Sequence, residues 1–137
     1  MPVLVDTNFM VSVLLANDMN HAKAAAAVAT LRSERRVVAA PVLVELFYLI
    51  QKLVGYPAAI MSIQQTRRFY TIEPLLNVDL QAMEDIMLRY QSAKFDYTDA
   101  ALMAVAERLK IEQIYTFDWR DFSIYRPSHC TAFTLLP

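Results

Sequence analysis

The sequence contains one glycine, Gly55, and one cysteine, Cys130, in 137 residues. With a single glycine, the chain has no glycine-rich loop of the kind that binds nucleotide phosphates, so the common nucleotide-binding motifs are excluded. A single cysteine cannot form an internal disulfide, which suits a reducing compartment, and we expect a cytoplasmic protein. The formal net charge of -1 lacks the basic excess of general nucleic-acid binders. Any contact with nucleic acid should therefore be local.

Long uncharged apolar segments are also missing. The longest apolar stretches carry Asp6, Glu45 or Asp99 within or beside them, and no basic segment precedes an apolar run at the amino end. We therefore expect neither a signal peptide nor a membrane span. A length of 137 residues and a hydrophobic content of 56% fit one well-filled core. No repeat, linker or low-complexity tract indicates a second domain, so residues 1–137 are predicted to form one domain.

The sequence alternates short β-branched runs with longer helical segments. Strands are predicted at residues 3–5, 37–40, 70–73, 114–117 and 131–135. Helices are predicted at residues 7–17, 21–33, 42–54, 58–69, 79–89 and 99–109. This alternation predicts an α/β fold, with a mainly parallel central sheet of about five strands and helices on both faces.

Two acids follow predicted strands directly. Asp6 comes after residues 3–5, and Asp118 comes just after residues 114–117. In an open α/β sheet, ligands bind in the crevice outside the carboxyl ends of the strands, so both acids are well placed for chemistry. Each also has a local interpretation: Asp6 or Thr7 would cap the next helix, and Asp118 would belong to an aspartate-rich turn over residues 118–122.

Two further acids begin helices that start on the same edge of the sheet. Glu45 lies in the first turns of a helix with almost no polar face, so it must be protonated, paired or bound to a cation if it is buried. Its alternative role is to stabilise the helix dipole. Asp99 leads the apolar run 100–106, which should be buried on all sides. We assign Asp99 to the site and Asp96, three residues earlier, mainly to capping the helix.

Four carboxylates at one edge of a sheet repel one another unless a cation neutralises them. Oxygen ligands without histidine or cysteine favour Mg²⁺ or Mn²⁺ over zinc, and His21 has no second ligand at a suitable spacing. We expect Asp6 and Asp99 to bind the ion directly, and Glu45 and Asp118 to act partly through water or a second ion. Such a site favours hydrolysis of a phosphodiester bond.

The combination of these motifs resembles the PIN-domain ribonucleases, and especially the toxin half of VapBC-type toxin–antitoxin modules. The resemblance rests on the run LVDTN at residues 4–8, Glu45 in an apolar helix, Asp99 followed by two alanines, and the run TFDWRDF at residues 116–122. It extends over essentially the whole chain. It implies an Mg²⁺- or Mn²⁺-dependent endoribonuclease that cuts single-stranded or structured RNA.

The resemblance also implies roles for individual residues. The four acids that would bind metal are Asp6, Glu45, Asp99 and Asp118. Thr116 would help to hold the site, as would Thr7 or Asn8, whereas the roles of Asp96 and Asp121 stay open. An antitoxin partner and a homodimer are implied as well.

Basic side chains divide into two groups by position. Lys94 and Arg120 neighbour the acids in sequence and are the candidates for RNA phosphate contacts. Five arginines precede predicted strands, so they should lie on the opposite edge of the sheet: Arg32, Arg35, Arg36, Arg67 and Arg68.

Two other functions fit the same fold class. A phosphoacceptor receiver domain would need paired acids after the first strand and an aspartate after the third, but Asp6 stands alone and residues 70–73 lead into Pro74. A structural or dimerisation module would bind no metal. Within the nuclease interpretation, a role in RNA processing is the alternative to a toxin.

Overall fold

Five short strands and seven α-helices form the computed structural model, which describes residues 1–137. The strands are β1 (Pro2–Val5), β2 (Arg35–Ala39), β3 (Thr71–Glu73), β4 (Gln113–Tyr115) and β5 (Thr134–Leu136). The helices are α1 (Thr7–Leu14), α2 (His21–Leu31), α3 (Ala40–Leu53), α4 (Tyr56–Phe69), α5 (Asn77–Arg89), α6 (Tyr97–Leu109) and α7 (Trp119–Ile124). None of the helices is both long enough and apolar enough to span a membrane.

The strands form one parallel sheet in the order β3-β2-β1-β4-β5. Central strand β1 places Leu4 opposite Val37 of β2 and Ile114 of β4, and all three side chains are buried. The chain runs from β1 outward to β3, and then returns to the other side of β1 as β4. The crevice at the carboxyl ends of β1 and β4 is therefore the point where the strand order reverses, which is the usual ligand site of such sheets.

Helix α6 is the most deeply buried helix. Every residue from Thr98 to Ala106 is buried, as the apolar run after Asp99 predicted. Small alanine side chains occupy much of this segment, so the helix backbone can approach its neighbours closely. This burial fixes the start of α6 relative to the sheet.

Helix α3 is buried along one face only, although its sequence has almost no polar face. Its buried residues are Val42, Leu46 and Ile50, which recur every four residues and define a single inward face. Val44 and Tyr48 on other faces are 73% and 60% exposed. The apolar residues of α3 therefore do not indicate which of its faces are buried.

The α/β class and the five-stranded parallel sheet are confirmed, and most boundaries lie within two residues of the prediction. The interpretation of residues 118–122 as a turn is wrong, because helix α7 (Trp119–Ile124) occupies this segment. Helix α1 also ends at Leu14 rather than at residue 17, and β5 begins at Thr134 rather than at residue 131. These corrections fall in short segments, where periodicity carries little information.

An ion-pair cluster joins α6 to the start of α5. The Arg108 guanidinium donates to both carboxylate oxygens of Asp79, at 2.8 and 2.9 Å, and to Glu73 at 2.8 Å. Asp79 is buried and also accepts a hydrogen bond from the backbone N–H of Leu76. Burial acts to raise the pKa of Asp79, but the bonds from Arg108 and Leu76 outweigh it, so this pKa lies below its ordinary value.

Removing Arg108 should destabilise the fold, because it leaves a buried carboxylate without its partner. We expect Arg108→Gln to lower the free energy of unfolding by about 2–4 kcal/mol at neutral pH. The deficit should shrink as the pH falls towards the carboxyl pKa, since Asp79 can then protonate. Urea denaturation at two pH values measures this, with the exposed Arg67→Gln as control. Equal losses in the two variants would contradict a stabilising role for the cluster.

Candidate active site

Asp6 lies at the junction of β1 and α1, and its two carboxylate oxygens have different partners. Oδ1 accepts the backbone N–H of Thr7 at 2.7 Å, so Asp6 caps α1. Oδ2 accepts the hydroxyl of Thr116, which follows β4, at 2.9 Å. Asp6 is only 4% exposed but lines the cleft at the carboxyl edge of the sheet. The capping interpretation and the site interpretation are therefore both satisfied by one side chain.

Thr116 and Asn8 tie the ends of β1 and β4 together. The backbone N–H of Phe117 donates to Asn8 Oδ1 at 2.9 Å, and the N–H of Asp118 donates to the Thr116 hydroxyl oxygen at 3.0 Å. The Asn8 amide lies 3.4 Å from Asp6 Oδ2. Both predicted supporting residues thus hold the segment that carries Asp118.

Glu45 projects into the same cleft from α3. Its Oε1 accepts the Thr7 hydroxyl at 2.7 Å, which links α3 to the start of α1. The side chain is half-buried and lines the cleft, so the condition that a buried Glu45 be protonated, paired or bound to a cation applies to it only in part. Proline in the first turn, Pro41, is compatible with the short connection from β2 into α3.

Asp99 and Asp121 form a close acidic pair. Both are buried, at 8% and 7% exposure, in the first turns of α6 and α7. Arg120 Nη1 lies 2.6 Å from Asp121 Oδ1 and donates to the Ala93 carbonyl at 3.2 Å. Arg120 is therefore paired with Asp121 and is not among the residues that line the cleft. Its contact with RNA phosphate stays a prediction.

The role of Asp121 is open from the sequence alone. In the structure, Asp121 lies among the acids that line the cleft. The sequence feature that could have identified Asp121 is its spacing from Asp118. Residues three apart lie on the same side of a helix, and Asp121 follows Asp118 by three residues. The turn assigned to this segment concealed that relation. Asp96 has the expected capping geometry, with its Oδ1 accepting the Tyr97 N–H at 2.8 Å, but it also lines the cleft.

All four predicted catalytic acids line one cleft of about 440 Å³. Its only cationic side chain is Lys94, and its two large apolar residues are Tyr48 and Leu49. The acidic lining consists of Asp6, Glu45, Asp96, Asp99, Asp118 and Asp121. The site is therefore strongly negative within a protein whose net charge is -1.

Burial and crowding make the ionised forms of two acids unfavourable. Burial, with smaller contributions from Glu45 and Asp118, raises the pKa of Asp6 from 3.8 to about 6, despite the hydrogen bond from Thr116. For Asp99, burial is again the main cause, followed by a hydrogen bond to Asp121 that its protonated form makes and by the nearby negative charges. The pKa of Asp99 lies well above its ordinary value.

The donor set fits a hard divalent cation. Six carboxylates line the cleft, with no histidine or cysteine, and such a set suits Mg²⁺ or Mn²⁺. No group of three acidic, histidine or cysteine side chains already encloses an ion position. Mg²⁺ does not need such a cage, because it keeps several waters and binds through one or two carboxylates. A cation there would also relieve the repulsion that raises the pKa values of Asp6 and Asp99.

Comparison with protein families identifies the architecture. The family model of the PIN domain matches residues 3–126. The chain belongs to the PIN-domain family. The match includes every acid of the cleft, so the resemblance carried by the sequence motifs is confirmed.

Individual proteins resemble this PIN domain over most of its length. Ribonuclease VapC26 of Mycobacterium tuberculosis is 25% identical over 136 residues, which cover 98% of this chain and all of the relative. The crystal structure of Mycobacterium tuberculosis VapC20, a Sarcin-Ricin loop cleaving toxin, has a TM-score of 0.77 at 24% identity and covers 85% of this chain and 90% of that one. VapBC2 from Rickettsia felis, bound to a DNA fragment from its promoter, has a TM-score of 0.77 at 12% identity over the full length of both chains.

The raised pKa values predict how stability depends on pH without metal. A carboxyl group that ionises near 3.8 when unfolded but higher when folded makes the native state bind more protons, so stability falls as the pH rises through this interval. For Asp6 the loss extends to about pH 6, and for Asp99 it extends further. Metal-free protein should therefore melt at a lower temperature at pH 8 than at pH 5, and Asp99→Asn should reduce this difference.

Calorimetry in the presence of a chelator measures these melting temperatures. The exposed Asp85→Asn on α5 serves as the control and should keep the wild-type dependence on pH. If the melting temperature changes with pH by the same amount in the wild type and in Asp99→Asn, Asp99 does not carry the raised pKa.

Proposed function

We propose that this PIN domain is a metal-dependent endoribonuclease that hydrolyses phosphodiester bonds in RNA, with one catalytic domain formed by residues 1–137. The observation that carries the proposal is the cleft at the reversal point of the sheet, which is lined by six carboxylates and contains no histidine or cysteine. A ribonuclease that aligns over 98% of the chain supports the reaction class.

The proposed cofactor is Mg²⁺ or Mn²⁺, held by Asp6 and Asp99 directly and by Glu45 and Asp118 partly through water. When bound, such an ion lowers the pKa of a coordinated water and offsets negative charge on the phosphate. The Thr116 hydroxyl donates to Asp6 Oδ2, and the Thr7 hydroxyl donates to Glu45 Oε1, so both carboxylates are held in place at the cleft. These bonds lessen the side-chain ordering that substrate binding would otherwise require.

Lys94 remains the candidate for a phosphate contact, because it is exposed and lines the cleft. Asp121 is proposed as a further site acid, since it is buried against Asp99. Arg120 is proposed to position Asp121 through its 2.6 Å contact.

We further propose that the protein is the toxin of a toxin–antitoxin pair, works as a homodimer and is located in the cytoplasm. The VapC names of two relatives and the VapBC2 assembly of Rickettsia felis support a partner protein. Exposed apolar side chains on α3 and α4, among them Val44, Ile60 and Met61, provide surface for protein contacts. A role in RNA processing is the alternative, and the ends of RNAs cut in cells would distinguish the two.

A pair of variants separates a metal-binding acid from a capping acid. Asp96→Ser should keep most RNA cleavage, because serine also caps a helix start. Asp99→Ser should lose more than about 100-fold in cleavage rate, because a hydroxyl cannot replace an anionic metal ligand. This loss exceeds the usual effect of altering a residue that only supports a metal ligand. Cleavage of one RNA in Mg²⁺ is measured for both proteins, after circular dichroism has shown equal folding.

Equal losses in the two variants would place Asp96 in the catalytic group. Full activity in Asp99→Ser would contradict the proposed function, as would cleavage that persists when a chelator removes divalent ions.

A further inference from the structure

Three large aromatic side chains stand exposed beside the site acids. Tyr48 lies one helical turn after Glu45 on α3, Tyr97 lies two residues before Asp99, and Trp119 follows Asp118. Their exposed fractions are 60%, 52% and 50%. Burying such rings is favourable, so three exposed aromatics next to site acids in the sequence point to a role other than core packing.

Two of these rings line pockets that contain site acids, and the third is fixed by a hydrogen bond. Tyr48 lines the acidic cleft itself, and Tyr97 lines a groove that it shares with Glu45 and Val44. The Trp119 indole N–H donates to the carbonyl of Thr116 at 3.0 Å, which fixes one edge of the ring while half of the side chain stays exposed. A ring fixed by its edge is a suitable surface for stacking.

The charge of the cleft limits how it can bind a polyanion. Six acids line it against one lysine, and Arg120 is engaged with Asp121. The group of arginines that includes Arg36 and Arg68 lies at the amino ends of β2 and β3, on the opposite edge of the sheet. Phosphate contacts can therefore supply little of the affinity near the acids, and binding needs a source that does not depend on cations.

We propose that Tyr48, Tyr97 and Trp119 stack on bases of the RNA substrate and supply affinity that the few cations of the cleft cannot. This rests on the proposed ribonuclease function and assigns base contacts to named residues. Every base has a flat face, so stacking on aromatic side chains tolerates many sequences. Bases within a duplex stack on each other and cannot reach these rings, so paired RNA should be excluded.

Three RNA probes distinguish contacts to bases from contacts to phosphates. The first is a single-stranded oligoribonucleotide, the second an abasic oligomer with the same number of phosphates, and the third a blunt duplex of the first sequence. The Asp6→Asn variant in chelator keeps each probe intact. Trp119 is the only tryptophan, so its fluorescence reports directly on contact at this ring.

The single strand should quench Trp119 fluorescence and bind at least about tenfold more tightly than the abasic oligomer or the duplex, since each stack is worth roughly 5- to 150-fold in affinity. The dependence of affinity on salt should be weak, because few phosphates are contacted.

Ring removal tests the individual residues by anisotropy of a labelled single strand. Tyr97→Ala and Tyr48→Ala should each weaken binding at least about fivefold, whereas Tyr97→Phe should keep it, because phenylalanine retains the ring. Phe69→Ala is the matched control, since Phe69 is 49% exposed at the end of α4, beside the arginine group on the other edge.

Equal affinity for the single strand and the abasic oligomer would overturn the proposal and leave the ribonuclease function standing if the wild-type protein still cuts RNA. Unchanged affinity in Tyr48→Ala and Tyr97→Ala would also overturn it. A change in molecular mass by light scattering, without a change in RNA affinity, would show instead that Tyr48 contacts a second copy. Absence of both binding and cleavage of any RNA would remove the proposed function as well.

Discussion

The arrangement of this protein depends on the crowding of carboxylates where β1 and β4 end. Ionised acids cannot gather in a partly buried cleft without a cost in free energy, and the raised pKa values of Asp6 and Asp99 express that cost. The surrounding structure maintains the crowding through hydroxyl groups, since Thr116 holds Asp6 and Thr7 holds Glu45. The fold therefore holds carboxylates that repel one another, and a divalent cation would relieve this repulsion. The need for a cation connects the architecture to phosphodiester chemistry.

Rigid elements impose the crowding from several directions. The sheet reverses its strand order at the cleft, so acids that are far apart in sequence meet at one edge. Helix α6 is buried along most of its length and cannot withdraw Asp99 from the cluster. Helix α7 adds Asp121, whose charge is partly compensated by Arg120. Because cations are so few at the cleft, the proposed recognition of RNA relies on a bound metal ion and on the exposed aromatic rings.

The amino-acid sequence was sufficient to predict the sheet, α6 and the meeting of four acids at one cleft, because these depend on strong local patterns. The run Val3 to Val5 and the run after Asp99 are apolar enough that burial was the only stable outcome. Helix α7 escaped prediction, since it has six residues and too little length for a periodic signal. The exposed face of α3 escaped for a different reason: an apolar residue such as Val44 reports hydrophobicity, and only the tertiary packing decides which face is covered. The pairing of Arg120 with Asp121 depended on α7 and could not be deduced without it.

The most direct test of a carboxylate cluster that needs a cation is the effect of Mn²⁺ or Mg²⁺ on thermal stability. An ion that binds only the native state stabilises it by about 2.7 kcal/mol at a concentration 100 times its dissociation constant. The melting temperature of the wild-type protein should therefore rise with metal concentration, and Asp99→Asn should remove most of the rise while the exposed Asp85→Asn keeps it. A melting temperature that stays constant across millimolar metal, or that rises equally in all three proteins, would contradict the account.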